Sequence, residues 1–496
     1  MSILSLAGVA ALSVVWPPAV WLVLAVMPVV LVGAYDMIQT RHTILRNFPV
    51  IGHFRYWLES IGPELYQYFV ESSVEGRPIN RDNRNYVYER AKRENQSHPF
   101  GTELDLTRDG NFWMAHSIFP AEELPEPPRV TIGDARCSQP YLASIFNVSA
   151  MSFGSLSANA VEALNIGARE GGFYHVTGEG GISHHHLQGG DLVFQFGTGY
   201  FGCRTKDGSF SPEEFRRQAT RPEVKMIEIK LSQGAKPGHG GILPAKKNSP
   251  EIAAIRGLEP YTKVVSPPGH TAFSTADGLL SFVDELRELS GGKPVGFKLC
   301  VGNSGELVAL CRRMVETERW PDFITVDGAE GGTGAAPIDF SNWVGLPLEE
   351  GLTFVVDTLN GFDLKKHIRV IAAGKVITAF DIFRVMCLGA DLCNSARGMM
   401  LALGCIQALR CDTNDCPTGI TTSDPDLTRG LVVSQKWKRV LNYQHETVKD
   451  FIELLSAAGL TSIGQLDRSL IHKRISPDTV RRMDEIYPPV ESGAWI

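Results

Sequence analysis

Apolar positions run along this chain in three successive rhythms, and the first is continuous. From Ile3 to Tyr35 no charged residue occurs, and Leu, Val and Ala dominate. A helix needs roughly 20 apolar residues to cross a hydrocarbon core of about 30 Å, so residues 1–35 are expected to form a transmembrane anchor. Pro17 and Pro18 interrupt the run. Proline strips a helix of hydrogen bonds, which leaves either one kinked span or a short hairpin. No Lys or Arg precedes the run and no small-residue cleavage site ends it, which argues against a removed signal peptide. Asp36 is followed by Arg41, His42, Arg46 and Arg55. Positive charge collects on the cytoplasmic side, so the expectation is a protein of the cell inner membrane whose body faces the cytoplasm.

The second rhythm, over residues 36–140, sets aromatics and aliphatics at helical spacing among charges in RNFPVIGHFRYWLESIGPELYQYF and NRNYVYERAKRENQ, then turns proline-rich in HSIFPAEELPEPPR. It predicts a helical, proline-rich collar. The third begins at Tyr141. Short β-rich runs (ASIFNVSAM, FYHVTG, DLVFQFG, VKMIEIKL, KPVGFKLC, DFITVDG, IRVIAAG and ADLCNSA) alternate with helical patterns such as SANAVEALNIGAREG, TADGLLSFVDELRELS, GELVALCRRMVETE and AFDIFRVMCLG. Such alternation is what a (β/α)8 TIM barrel requires. The fold class is therefore α/β, with the barrel over 141–425; an open doubly wound sheet is the alternative. Residues 426–496 read as a helical extension, and KWKRVLNYQHETVKDFIELLSAAG is amphipathic enough to pack on the barrel.

Composition narrows the function. A formal net charge of −7 with scattered Lys and Arg provides no basic field, which excludes a nucleic-acid partner. Nine cysteines in 496 residues make no disulfide framework and fit a reducing compartment. Cys137, Cys203, Cys300, Cys311, Cys387 and Cys393 are isolated, whereas Cys405, Cys411 and Cys416 crowd into GCIQALRCDTNDCPTG. Thiolates are soft ligands, and three on short loops can converge on one iron–sulfur cluster; buried small hydrophobes are the plainer alternative.

Strand ends carry the other chemistry. AEGGTGAAP (329–337), AAGK (372–375) and SARG (395–398) are glycine-bearing loops of the kind whose backbone N–H groups hold phosphate in barrel enzymes. GTGYFG (197–202) satisfies the G-x-G-x-x-G pattern, but CRTKDGSFSPEEF follows it and offers no apolar helix to carry a phosphate site. We therefore expect no nucleotide there. His184, His185 and His186 on an extended loop would point in alternate directions, which favours plain loop residues over a metal site.

Taken together, SAMSFGSLS, TGEGG, KLSQGAKPGHGG, SPPGH, EGGTGA, LGADL and ALGC, followed by C-x5-C-x4-C-P-x-G, resemble the FMN-binding synthase domain of the glutamate synthase family over roughly 141–425. The anchor and collar are similar to those of a shorter, membrane-anchored group within it. The resemblance implies a flavin barrel with FMN and a 3Fe-4S cluster on Cys405, Cys411 and Cys416, making L-glutamate by reductive amination of 2-oxoglutarate. It places Ala150, Met151 and Ser152 along the flavin ring with Gln195 beside it. Gly331, Gly332, Thr333, Gly374, Ala396, Arg397 and Gly398 would lie around ring and phosphate. Lys298 would stabilise charge on the reduced ring, Lys236 would be the substrate lysine with Gln233 its neighbour, and Arg256 would take a substrate carboxylate. Glu179 matches an acid near the ammonia entry.

The departures are specific. Full-length family members begin with a glutaminase domain whose nucleophile is an N-terminal cysteine, whereas position 2 here is Ser2. Ammonia is thus expected from solution or from a separate glutaminase chain, and electrons from a ferredoxin or flavoprotein subunit. His239 and Ile242 stand where the family usually has an acid and a glutamine, which leaves open another 2-oxo acid or an amine. Two alternatives follow: a membrane-associated FMN oxidoreductase coupled to quinone or ferredoxin, and a non-catalytic electron-relay or scaffold subunit.

Overall fold

The computed structural model describes residues 2–94, 97 and 99–496. Met1 of the anchor and Asn95 and Gln96 of the collar pattern lie outside the described residues. The chain divides into two compact units, Met1–Arg81 and Asp82–Ile496.

In the first unit, α1 (Ser2–Val15) stops where Trp16 turns extended ahead of Pro17. A 3-10 turn (Pro17–Leu22) leads directly into α2 (Val23–Ile38). The proline pair therefore breaks the apolar run, as its missing N–H groups require, and α1 lies in contact with α2. Pro17–Ile38 is long and apolar enough to cross a membrane, and Trp21, Leu24 and Leu31 on it are exposed. Asp36 ends this stretch fully buried. Its carboxylate accepts the Val50 N–H at 2.8 Å and sits 2.9 Å from His53 Nε2, which ties the end of α2 to the helix Gly52–Leu65.

The second unit is built on a closed parallel barrel of eight strands. In chain order they are β1 (Phe146–Val148), β2 (His175–Val176), β3 (Leu192–Phe196), β4 (Val224–Lys230), β5 (Val295–Leu299), β6 (Phe323–Asp327), β7 (Arg369–Ala373) and β8 (Leu392–Ser395). Each pairs with its neighbour in sequence, and the ring closes through Cys393 opposite Phe146. All eight apolar runs named from the sequence form these strands. They read so clearly because parallel strands are covered on both faces and become near-continuous hydrophobic runs.

Between the strands lie amphipathic helices: α3 (Ala158–Gly171), α4 (Pro212–Ala219), α5 (Ala276–Leu289), α6 (Ser304–Thr317), α7 (Leu348–Gly361), α8 (Ala379–Cys387) and, after β8, α9 (Arg397–Leu403). Their ends are capped locally. Ser157 accepts the Ala160 N–H, Gly172 closes α3 in the left-handed conformation, and Thr378 forms a capping box with Asp381. The β2–β3 link has no α-helix, only the 3-10 turn His184–His186. A helix does follow GTGYFG, but α4 starts at Pro212, beyond the bridge between Arg204 and Phe210. That helix, PEEFRRQA, is largely polar, and its N-cap Ser211 donates its N–H to the Cys203 carbonyl at 2.9 Å.

A hairpin of Arg129–Ile132 and Tyr141–Ser144 closes the amino end of the barrel. Ile132 and Ala143 join Tyr174, Val176, Val193, Met226, Phe323, Ile371 and Leu392 in one buried cluster, so that end is filled with apolar side chains. The long helix α10 (Val433–Ala457) packs on α3, α8 and α9. Gly167 permits the approach, since a Cβ there would lie 2.9 Å from Val440 Cγ1. The rest of the extension is not helical throughout. Ile471–Ser476 and Thr479–Arg482 form a hairpin whose first strand pairs with Phe112–Met114. HKRIS and TVRR carry too much charge to show an apolar alternation, so the sequence did not announce them.

Candidate functional site

Above the apolar plug, the inward positions of the barrel turn polar. On β4 the inward side chains at every second residue run Met226, Glu228, Lys230, following the period of a strand. Glu228 is buried, accepts from Gln195 Nε2 of β3, and takes the Thr325 hydroxyl of β6 at 2.6 Å. Burial pushes its carboxyl upward, partly offset by Lys298, Thr325 and Gln195. Lys298 projects from β5 and pairs with Asp327 Oδ2 at 3.0 Å. Burial opposes its charge, but Asp327 and Glu228 outweigh that and hold the ammonium above the ordinary lysine range. Asp327 Oδ2 also accepts the Gly234 N–H at 3.0 Å. Gln233, half-buried next to Gly234, is thus carried on a loop fixed to the Lys298 pair.

Beside this layer lies a second group of charges. Glu179 follows β2 and pairs with Lys230 Nζ at 2.7 Å. Burial acts to raise its carboxyl, but Lys230 first, then Lys236 and Arg256, hold it below the usual range. Burial and the neighbouring Lys230 depress Lys236. Burial pulls Arg256 down to about 10, against the attraction of Glu179. Lys236 and Arg256 are each 5 % exposed. Arg256 Nη2 donates to the Phe153 carbonyl at 3.0 Å, its guanidinium lies over the Phe201 ring, and its Nε is buried with no hydrogen-bond partner among the described residues. Three cations around a single carboxylate leave a surplus of positive charge. Such a pocket suits an anionic ligand, and a planar guanidinium with a free edge suits a carboxylate.

The loops after β1, β6, β7 and β8 converge as well. Ala150, Met151 and Ser152 are half-buried at the end of β1. Gly178, at φ 70°, lies flat against them, since a Cβ there would sit 2.5 Å from the Ser152 nitrogen. Gly328 N donates to Ala373 O at 2.8 Å, joining the turns after β6 and β7. At Gly374, with φ 133°, a side chain would press on the Gly328 nitrogen at 3.0 Å. A Cβ at Gly332 would overlap the Arg397 guanidinium, and one at Gly398 would overlap the Tyr443 hydroxyl. Gly331, Gly332, Thr333, Gly374 and the Ala396–Gly398 turn therefore form one cradle with exposed backbone and a cation. Gly374→Ala is expected to strain the joined turns after β6 and β7 and to lower the unfolding temperature of the purified protein, since a side chain there meets the Gly328 backbone in a conformation that favours glycine.

The cysteine loop borders this cradle. A Cβ on Gly334 would lie 3.3 Å from Cys411 Cβ. Gln407, Leu409 and Asn414 all hold positive φ, a concentration of sparsely allowed backbone that marks a loop shaped for a purpose. Buried Lys247 donates to the carbonyls of Cys411 at 2.7 Å and Thr421 at 2.8 Å, and Tyr88 donates to the Cys405 carbonyl at 2.6 Å. Burial raises the Cys405 thiol to about 11. Burial also opposes ionisation of Cys416, but the Thr418 hydroxyl at 3.4 Å and the neighbouring polar groups of Thr421 bring that thiol down to about 7.

Lys230, Glu228, Asp327, Lys247 and Thr325 were not singled out from sequence. The polar residues at alternate positions of VKMIEIK and the terminal Asp of FITVDG were the available signals, because a charge on an otherwise buried strand face needs a reason. The histidines behave differently from expectation. In the 3-10 turn the His184 and His185 rings lie against each other, tilted by 42° with centroids 3.8 Å apart; His184 is exposed, while His185 and His186 are buried.

The conserved region in glutamate synthase matches residues 118–461. The glutamate synthase large subunit-like protein YerD of Bacillus subtilis (strain 168) is 38% identical over 469 residues, covering 86% of this chain and 89% of that protein. The archaeal glutamate synthase (NADPH) of Methanocaldococcus jannaschii is 33% identical over 321 residues, 64% of this chain and 60% of that one. This chain thus spans about 60% of the archaeal relative's length. Among solved structures, a mandelate oxidase mutant with benzaldehyde aligns at a TM-score of 0.45 with 16% identity, covering 86% of this chain and 97% of that one.

Proposed function

The chain belongs to the glutamate synthase family, and on that premise we propose that it is an FMN-dependent oxidoreductase that reductively aminates a 2-oxo acid, in the first instance 2-oxoglutarate to L-glutamate. The observation that carries this is the adjacency of three parts: a glycine cradle, a cysteine loop touching it at Gly334 and Cys411, and a carboxylate-binding surplus of charge at Lys230, Lys236 and Arg256. The residues fit both groups. Gly331, Gly332, Thr333, Gly374 and Arg397 would hold the FMN phosphate, Ala150, Met151, Ser152 and Gln195 would line the ring, and Cys405, Cys411 and Cys416 would ligate a 3Fe-4S cluster. Bound there, FMN supplies hydride chemistry and the cluster supplies one-electron delivery.

The protein's own contribution is electrostatic and positional. Lys298, kept charged by Asp327 and Glu228, offers a fixed positive end where a reduced ring carries negative charge. Arg256 clamps the substrate carboxylate through its free edge, and Lys236 adds a second cation that polarises the oxo group. Glu179, kept ionised by Lys230, holds that lysine in place and stands where the family has an acid near the ammonia entry. Ammonia comes from solution or a separate glutaminase chain, and electrons from a ferredoxin or flavoprotein subunit.

The exposed apolar helix Pro17–Ile38 supports an anchor in the inner membrane with the barrel on the cytoplasmic side. It also favours a second reading, in which the electron partner is a membrane quinone. Anaerobic purification with iron, sulfide and FMN quantified, followed by reductant-driven turnover on a panel of 2-oxo acids, tests the assignment. One FMN and about three irons per chain are expected, with 2-oxoglutarate the preferred acid. Absence of FMN would leave only the scaffold alternative. Cys416→Ser is expected to lose the iron while keeping the flavin, since the ligand is removed and the glycine cradle is not touched.

A further inference from the structure

The 3-10 turn in the β2–β3 link creates a cluster that the proposed chemistry does not use. Its capping box, Ser183 with His186, fixes the turn and brings His184 and His185 to the same side. Facing them is Glu251, in the helix Pro250–Arg256. His185 Nε2 lies 3.1 Å from Glu251 Oε1 and His184 Nδ1 lies 3.4 Å from the same oxygen. These three are a trio of ligand atoms within 4.8 Å of one another. On its other nitrogen His185 contacts Glu162 Oε1 of α3 at 2.6 Å.

We propose that His184, His185 and Glu251 form a binding site for a divalent cation of the zinc class, which clips the helix carrying Arg256 to the β2–β3 turn. Geometry is the first argument. For tetrahedral coordination with bonds of roughly 2.0–2.1 Å, neighbouring ligand atoms stand about 3.3–3.4 Å apart, close to the two separations from Glu251, 3.1 and 3.4 Å. The arrangement of the second carboxylate is another argument. With its Nδ1 held 2.6 Å from Glu162 Oε1, His185 presents its Nε2 to Glu251, the side on which an ion would sit. A histidine ligand backed by a carboxylate on its other nitrogen is the usual outer-shell support of a metal site. Two imidazoles and one carboxylate select zinc-like ions over magnesium or calcium, which prefer all-oxygen ligands. His184 and Glu251 are partly exposed, giving an ion a route in and leaving a fourth position for water.

The consequence would reach the charge surplus. His185 packs on Phe153, with ring centroids 4.8 Å apart, and the Phe153 carbonyl holds Arg256. An ion at Glu251 therefore fixes both the first turn of the Arg256 helix and the carbonyl that orients its guanidinium. The site itself does not depend on the assignment of the reaction.

The test is Zn2+ titration of the full chain after chelator treatment, by calorimetry and by thermal unfolding, with Cys405→Ser, His184→Ala and Glu251→Gln compared with the wild type. Cobalt substitution is read in parallel. Saturable binding of one Zn2+ is expected, with a rise in unfolding temperature. His184→Ala and Glu251→Gln should weaken it by at least 100-fold, Cys405→Ser should leave it unchanged, and Co2+ should give ligand-field bands without a thiolate charge-transfer band. His184 is exposed, so its alanine variant keeps the fold and serves as the control. No saturable binding at neutral pH, binding equal in all variants, or binding lost only in Cys405→Ser would overturn the proposal.

Discussion

Lys298→Met is expected to destabilise the barrel by about 3–5 kcal/mol, the usual cost of stripping one partner from a buried ion pair. Asp327 is left with its charge, a hydrogen bond from Gly234 and no cation, and Glu228 loses the nearest ammonium that offsets its burial. The loss follows from uncompensated charge rather than from a cavity, since methionine nearly fills the space of lysine. The double variant Lys298→Met with Asp327→Asn should therefore recover most of the stability in chemical denaturation, because asparagine still accepts the Gly234 N–H. It should not recover turnover, because the positive end beside the ring is gone. If the double variant were as unstable as the single one, packing and not charge would be the cause.

Arg256→Ala is expected to lower kcat/KM for the 2-oxo acid by roughly 2–5 kcal/mol in transition-state terms, which is about 30- to 5000-fold. Most of this should appear in KM, since a carboxylate clamp acts on ground state and transition state alike. Arg256→Lys should recover only part, because the ammonium keeps the charge but not the two-toothed fork. A pH profile separates Arg256 from its neighbour. Lys236 is depressed by burial and by Lys230, so its cation is present at low pH and is lost as pH rises through a value below the ordinary lysine range. Substrate affinity should fall along that alkaline limb in the wild type, and the limb should vanish in Lys236→Met. An unchanged KM in Arg256→Ala would remove Arg256 from the substrate site.

The fold was more legible than the site, for physical reasons visible in particular residues. Strands such as Leu192–Phe196 and Phe323–Asp327 are buried along their whole length, and burial on both faces writes itself into the sequence as an apolar run. Local chemistry was equally readable, as at Ser157, Gly172 and the Thr378 capping box. What could not be read was convergence. Nothing in KKNSPEIAAIRG places Lys247 on the Cys411 carbonyl 164 residues away, and nothing in SFG places the Phe153 carbonyl on Arg256. The histidine run differs from expectation in its backbone alone: it forms a 3-10 turn rather than an extended loop, and such a turn advances about a third of a revolution per residue and lets two of the three rings share a side. The Ile471–Arg482 hairpin was missed because its strands are half-exposed and basic.

The pairing of Phe112–Met114 with Ile471–Ser476 has a bearing on biosynthesis. The earlier strand emerges from the ribosome more than 350 residues before its partner, and among the described residues no other strand pairs with it in the finished sheet. Its edge must wait through the translation of the entire barrel, and at about 5–20 residues per second that interval lasts tens of seconds. A nascent chain stalled or cut short before position 471 therefore displays a naked strand edge beside Phe112 and Trp113, a ready handle for a chaperone or a protease.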